Sequence, residues 1–353
     1  MRTFRKALNL VFMISFILLW ACDEEENVSP SVRVTSPAED AILVRGDVVP
    51  IKALADDEDG TIKLVSIYID GEEVGSSETT TYIYNWNTAG LELKEYTLSA
   101  LAVDNEDEVD TDNIRVLLGA EGGLNPDLVY DTVTDFDGNM YATIEIGTQV
   151  WMAENLKVSH YPDGSPIPEV SDEAEWNAMA PEAQAYCWYN NQTEYSDISG
   201  ALYTWAAAMY GGQSSDTVPS GVQGVCPDGW HLPSDAEWKV LEIFLGMSET
   251  DVDLYDWRGT DEGGQLKEIG FTHWAIPNTG ASNSSGFTAI PGGFRSVKGM
   301  FYNEDSNAAF WTSTEDEGVN NAWYRTLNFD MEQVYRQHNS MQLGLSVRCV
   351  QDL

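Results

Sequence analysis

The chain has 353 residues, enough for two or three cored domains. Its 58 acidic residues against 18 basic ones leave a formal net charge of −40 at pH 7. A surface that negative repels phosphate backbones and anionic headgroups, which excludes nucleic-acid partners and favours a soluble, extracytoplasmic protein.

Residues 1–21 read as a signal peptide. Arg2, Arg5 and Lys6 form a basic start, and "LVFMISFILLWA" is an apolar run too short for a comfortable membrane span. "LLWAC" resembles the bacterial lipobox, which implies cleavage before Cys22 and a lipid on that cysteine. The alternative is an ordinary signal peptide cut elsewhere. Residues 22–30 then form an acidic tether. Its "DEEE" run is solvated in any case and also resembles the surface-export signal of Bacteroidota lipoproteins. That resemblance implies an outer-membrane lipoprotein exposed on the cell surface. In other Gram-negative groups the same position resembles an inner-membrane retention signal.

Residues 31–118 read as an all-β, immunoglobulin-like sandwich. "SVRVTSP", "VVPIKALADD", "IKLVSIYIDGEEVGS", "TYIYNWNT", "KEYTLSALAVDN" and "NIRVLL" are short alternating runs punctuated by turn residues. Asp70-Gly71 is the tight turn of a hairpin. Ser36-Pro37, "ALADDEDGTI", Trp86 and "YTLSALAVDN" resemble bacterial immunoglobulin-like and PKD-like modules, which implies a spacer. "DDEDG" and "DNEDEVD" bring Asp56, Asp57, Asp59 and Asp104 to turns, where clustered carboxylates are one way to bind Ca2+. Plain solvated acidic turns are the simpler expectation, since no complete ligand spacing is present. Residues 119–127, "GAEGGLNPD", form a Gly-rich linker.

Residues 128–353 carry ten of the twelve tryptophans. Helical signals are few: "SDEAEWNAM", a run starting at Ser199 and stopping at Gly211-Gly212, and "PSDAEWKVLEIFLG". In the last, Ser234 and Glu237 form a capping box, Trp238, Leu241 and Leu245 mark an apolar face, and Gly246 ends the helix. The rest predicts short strands and long loops around an aromatic core, an α+β domain with little regular structure. "DFDGNMYATIEIGTQVWMAENLK", "YCWYNN", "GALYTWAAA", "GVCPDGWHLPSDAEWKVL", "GFTAIPGGFR", "FWTSTE" and "LGLSVRCV" follow in that order. Together they resemble the Fibrobacter succinogenes major paralogous domain, over nearly all of 128–353. The resemblance implies a C-type-lectin-like fold, shared with formylglycine-generating sulfatase-modifying enzymes, and a surface or secreted location.

Apart from Cys22, three cysteines remain, so one disulfide leaves one thiol. Cys226 lies among Asp228, Asp235 and Glu237, which disfavour a reactive thiolate. A Cys226–Cys349 bridge would instead close a loop of about 120 residues and contribute about 4–5 kcal/mol. Cys187 is then a buried free thiol, although pairing with either of the other two stays open. His231, in the lead-in to the helix, reads as a structural imidazole. The cysteine pair of sulfatase-modifying enzymes has no counterpart here, since Cys349 stands alone after "PGGFRSVKG". "TDFDGNMY" begins like a calcium loop, but the twelfth position from Asp135 is Ile146, so a β-turn is expected. Asp131-Thr132-Val133 and Asp216-Thr217-Val218 resemble Bacteroidota O-glycosylation triplets.

No catalytic machinery is visible, and the expectation is a non-enzymatic surface protein. Its head would take an extracellular glycan or protein. "LYDWRG", "HWAIPNTGASNSSG" and "NNAWYRTLNF" nominate Trp257, Arg258, Trp274, Asn283, Trp323 and Arg325 as contacts, because lectins combine aromatic platforms with polar hydroxyl partners. Calcium-lectin tripeptides are absent, so any binding would be calcium-independent or protein-directed. The alternatives are a sulfatase-modifying-type enzyme and a purely structural envelope component.

Overall fold

The computed structural model describes residues 27–92, 94–119, 122–316 and 320–352. The expected signal peptide, Cys22 and the start of the acidic tether lie outside the described residues. The chain divides into two compact units. One contains residues up to 40 with Val49–Trp86 and Tyr96–Val116; the other contains Ala41–Val48, Asn87–Glu95 and residues from Leu117 onward.

Eight strands make the N-terminal sandwich. They are β1 (Ser31–Ser36), β2 (Ala41–Val44), β3 (Val48–Asp56), β4 (Ile62–Ile69), β5 (Glu72–Ser77), β6 (Thr81–Asn87), β7 (Glu95–Asp104) and β8 (Val109–Gly119). Sheet orders are β1-β3-β6 and β2-β8-β7-β4-β5. Strict alternation along β3 and β7 buries Ile51, Ala53 and Ala55 from one sheet and Leu98, Ala100 and Ala102 from the other. Trp86 and Tyr96 close this core edge-to-face, with ring centroids 5.1 Å apart. Asp70 and Gly71 both have positive φ, 49° and 83°, as a two-residue hairpin between β4 and β5 demands. β2 was not anticipated; four residues are too few to display a period.

In the larger unit, irregular segments join many short strands and a few short helices. In chain order it adds β9 (Asp131–Thr134), β10 (Met140–Ile146), β11 (Gln149–Met152), α1 (Glu173–Ala178), β12 (Tyr186–Cys187), α2 (Tyr195–Ile198), β13 (Leu202–Tyr203), α3 (Trp205–Met209), β14 (Trp230–His231), α4 (Asp235–Leu245), β15 (Asp256–Arg258), α5 (Glu262–Leu266), β16 (Phe294–Arg295), β17 (Phe301–Tyr302), β18 (Asn307–Asp316), β19 (Asn321–Asn328), β20 (Val334–Ser340) and β21 (Val350–Gln351). A five-stranded sheet runs β14-β21-β11-β10-β9 and a four-stranded sheet runs β15-β20-β19-β18. One expected helix is shorter than predicted. Leu202 and Tyr203 pair with Cys187 and Tyr186 as a strand, and Thr204 caps the helix that starts at Trp205. Asp135 accepts from the Asn139 amide and Gly138 takes φ 82°, so "TDFDGNMY" is a turn.

α4 forms as its signals dictate. Ser234 and Glu237 complete both halves of the capping box, and Gly246 ends the helix at φ 122°. Trp238 and Leu241 are fully buried, and Trp238 packs on Trp151, Phe287 and Phe310. Cys226 and Cys349 form a disulfide with Cα atoms 5.9 Å apart, tying the segment before β14 to the entry of β21. Cys187 is a buried free cysteine whose thiol burial pushes up to about 12.

Candidate functional site

The four-stranded sheet has two chemically opposite faces, because neighbouring residues in a strand point opposite ways. One face carries Arg258, Arg325, Arg336, Leu327 and Val334 toward α4. Arg325 donates to Asp235 through Nη1 and to Glu242 through Nε, both at 2.7 Å. Arg258 reaches the other Glu242 oxygen at 2.7 Å, and Arg336 reaches Asp235 at 2.8 Å. Asp235, Glu242, Arg258 and Arg325 are essentially solvent-free. Burial alone would raise the Asp235 pKa; the Arg325 and Arg336 guanidiniums outweigh it and hold the carboxyl well below the usual range. This is an internal ion lattice in which each charge has a partner.

The opposite face is packed into the core at β18, through Ala309 and Trp311, and opens to solvent toward β20 and β15. Paired residues Trp257–Tyr335, Tyr335–Thr326 and Thr326–Ala309 form a ladder across all four strands. Trp257 and Tyr335 have ring centroids 5.0 Å apart, and Tyr324 lies 6.2 Å from Tyr335. With Phe294 they wall a cleft of about 360 Å³, within the small-ligand range. Asn307, Thr326 and Asn339 supply its polar groups, and Leu343 and Leu345 its floor. The three cleft aromatics on the sheet and Phe294 are half-buried, and Asn339 is exposed. Burial, with the nearby Tyr335 hydroxyl second, pushes Tyr324 up to about 12; burial and then Asp256 raise Tyr335. Both hydroxyls therefore remain protonated donors at neutral pH.

Of the nominated contacts, Trp257 lines this cleft and the others sit elsewhere. Arg258 and Arg325 belong to the internal lattice described above. Trp323 is 8% exposed and lies under the Arg336 guanidinium, 3.8 Å from its ring. Trp274 is 2% exposed, and its indole N–H donates to the Ala289 carbonyl at 2.9 Å. Asn283 is fully buried, and its carboxamide oxygen accepts from the Thr288 amide at 2.9 Å. These five, nominated as contacts, are instead core or scaffold residues, because each is buried. Tyr324, Tyr335 and Asn339 were missed, although the alternation of "NAWYRTLNF" puts Tyr324 opposite Trp323 and Arg325.

The other buried cations are also committed. Lys267 donates to the carbonyls of Thr279, Asn328 and Met331, and Arg295 to those of Val170, Ser171 and Gly299. Arg348 donates to Asn155 and to the carbonyls of Met152, Phe287 and Thr288. His231 bridges Glu237 through Nε2 at 2.7 Å and Asp352 through Nδ1 at 2.5 Å. In the sandwich, Asp104 is fully buried and accepts from Asn27 and from the amides of Glu106 and Glu108. Asp56 is an exposed end of β3, and Asp59 accepts from the Val28 amide at 3.0 Å. Asp57 sits near both Asp59 and Asp104, and burial, followed by their charges, raises its pKa. Among the described residues, no group of three or more His, Cys, Asp or Glu side chains has metal-holding geometry.

Comparison with known sequences places this geometry. The profile of the Fibrobacter succinogenes major domain matches residues 144–351. The chain belongs to that family. The major domain thus contains both faces of the four-stranded sheet, α4 and the disulfide. The profile of a bacterial Ig domain matches residues 30–100, over the β-sandwich. No curated protein matches the chain. Among solved structures, it is similar to fibronectin(III)-like modules of Clostridium thermocellum CbhA at 28% identity, TM-score 0.24, over 26% of this chain. The chain spans about half, 47%, of that protein's length. It is also similar to the PKD1 domain of Vibrio anguillarum Epp at 16% identity, TM-score 0.19, over 27% of this chain and 100% of that one.

Proposed function

We propose that the protein is a non-catalytic recognition protein on the bacterial cell surface. It is anchored in the outer membrane by a lipid on Cys22, and the immunoglobulin-like unit serves as a spacer. The major domain acts as a C-type-lectin-like head that takes an extracellular glycan or protein. The observation that carries this reading is the face of the β15-β20-β19-β18 sheet that opens to solvent toward β20 and β15. Three half-buried aromatics stand there beside Asn307, Thr326 and Asn339, and each keeps part of its side chain in solvent. Core packing explains aromatics that are fully enclosed; it leaves a partly solvated Trp257–Tyr335 platform without a purpose. The non-catalytic part rests on sulfur. Cys226 and Cys349 are spent on each other, and the raised, buried Cys187 thiol is a poor nucleophile.

Surface arrays of extracellular glycans and proteins, probed with the parent chain and a Trp257→Ala/Tyr335→Ala variant, test the reading. The expected result is binding by the parent that the variant loses by at least tenfold. Equal binding by both, or none by the parent, rejects the cleft as the recognition site.

A further inference from the structure

We infer that the cleft on the β15-β20-β19-β18 sheet selects an uncharged saccharide, bound without a metal ion, with a sugar ring laid against Trp257 and Tyr335. This deepens the recognition reading and rests on it.

The lining decides the charge of the occupant. Its polar groups, Asn307, Thr326 and Asn339, are carboxamides and a hydroxyl, which both donate and accept and so match sugar hydroxyls. Anionic ligands are held by Arg forks or Lys, and the lining contains neither. Of the guanidiniums nearest in sequence, Arg258, Arg325 and Arg336 project from the reverse of the same strands and are paired with Asp235 and Glu242, and Arg295, next to Phe294, is committed to the Val170, Ser171 and Gly299 carbonyls. A negative charge adjoins the aromatic pair: the Tyr335 hydroxyl hydrogen-bonds to Asp256, which also accepts from Gln337 at 3.4 Å. Residues 123–353 as a whole carry 34 acids against 9 bases, so an approaching uronate or sulfate is repelled.

The shape argues for a sugar over a polypeptide. Peptides are commonly bound by an open strand edge or a long apolar groove for a helix. This cleft lies on a sheet face, where the ladder presents side chains and the backbone is already paired. Its volume of about 360 Å³ is at the low end for small-molecule sites and fits a short stretch of rings. Aromatic side chains offer the apolar ring faces that sugar C–H faces cover, and the surrounding amides take the equatorial rim. Carboxylate ligands for a bridging ion are absent from the lining, so EDTA has nothing to remove.

Calorimetric titration of the purified chain tests this. The probes are neutral oligomers of glucose, galactose and mannose, and glucuronate and galacturonate oligomers of equal length, each with and without EDTA. We expect a neutral oligomer to bind, its acidic counterpart to bind at least tenfold more weakly, and EDTA to change nothing. Trp257→Ala should weaken binding at least tenfold. Asn339→Ala, at an exposed position that does not threaten folding, should weaken it severalfold. Acidic oligomers binding as tightly, or loss of binding in EDTA, overturns the inference and leaves the recognition reading standing. Trp257-dependent binding of an unglycosylated protein with no oligosaccharide bound does the same. Neutral binding indifferent to both variants, or no oligomer binding in any arm, removes the inference; the recognition reading falls with it only when the parent chain also binds nothing on the glycan and protein arrays.

Discussion

Cutting the Cys226–Cys349 link with a Cys226→Ala/Cys349→Ala variant tests how the major domain holds its last strand. Alanine is the right replacement, because both positions are fully buried and serine would bury two hydroxyls. The bridge spans a sequence separation of 123. With that length, loop-closure entropy in the unfolded chain comes to about 16–17 cal/mol/K, or about 5 kcal/mol at 25 °C. Domains of this kind have a total stability of only about 5–15 kcal/mol, so the loss is a large part of the whole. The effect should be strongest at β21, which lies between β14 and β11 and whose preceding Cys349 carbonyl accepts from the Met152 amide. Urea unfolding followed by tryptophan fluorescence is the assay, since ten of twelve tryptophans lie in residues 128–353. The midpoint should fall sharply and the denaturant slope should rise, because the uncrosslinked chain exposes more surface when unfolded. A variant within about 1 kcal/mol of the parent would refute the reasoning, since the closed loop would then restrain nothing.

Three further outcomes follow from the same structure. Arg325→Met should cost about 3–5 kcal/mol in chemical denaturation by stranding Asp235 and Glu242, whereas Trp257→Ala, half-solvated, should cost no more than about 1 kcal/mol. Burial by itself lowers the His231 pKa, but Glu237 and then Asp352 outweigh it and raise the folded value above 6.5. The imidazolium's contribution is therefore complete below pH about 6.5 and is lost as pH rises through the higher folded value; thermal melts should show that decline, and His231→Gln should remove this component. Cys187 should resist alkylation of the native protein at pH 7 and react only after unfolding, with mass spectrometry counting one modified thiol in unreduced material.

Much of the architecture was legible because it is periodic or capped. The alternation in "VVPIKALADD" and "YTLSALAVDN" is the same period of two that buries Ile51, Ala53, Leu98 and Ala100. The Ser234 and Glu237 box marks the start of α4 to the residue. Thr204 was an equally sound cap, yet the apolar Leu202 and Tyr203 before it look helical and pair as a strand only because Tyr186 and Cys187 lie alongside. The cleft was harder for a different reason. Residue type picks out Arg258, Trp323 and Arg325, while parity along the strand decides which side chains meet solvent. Whether the odd or even set faces outward depends on α4 covering one side, and the acids Asp235 and Glu242 that complete the lattice come from 16 to 90 positions away.

The alternation of the two faces also bears on engineering. Positions 257, 335 and 339 can be randomised as one library while 258, 325, 327, 334 and 336 stay fixed. Specificity and foldability would then be inherited separately from interleaved letters of the same short words. Such a scaffold tolerates bold changes on one side of a strand because its anchor hangs from the other.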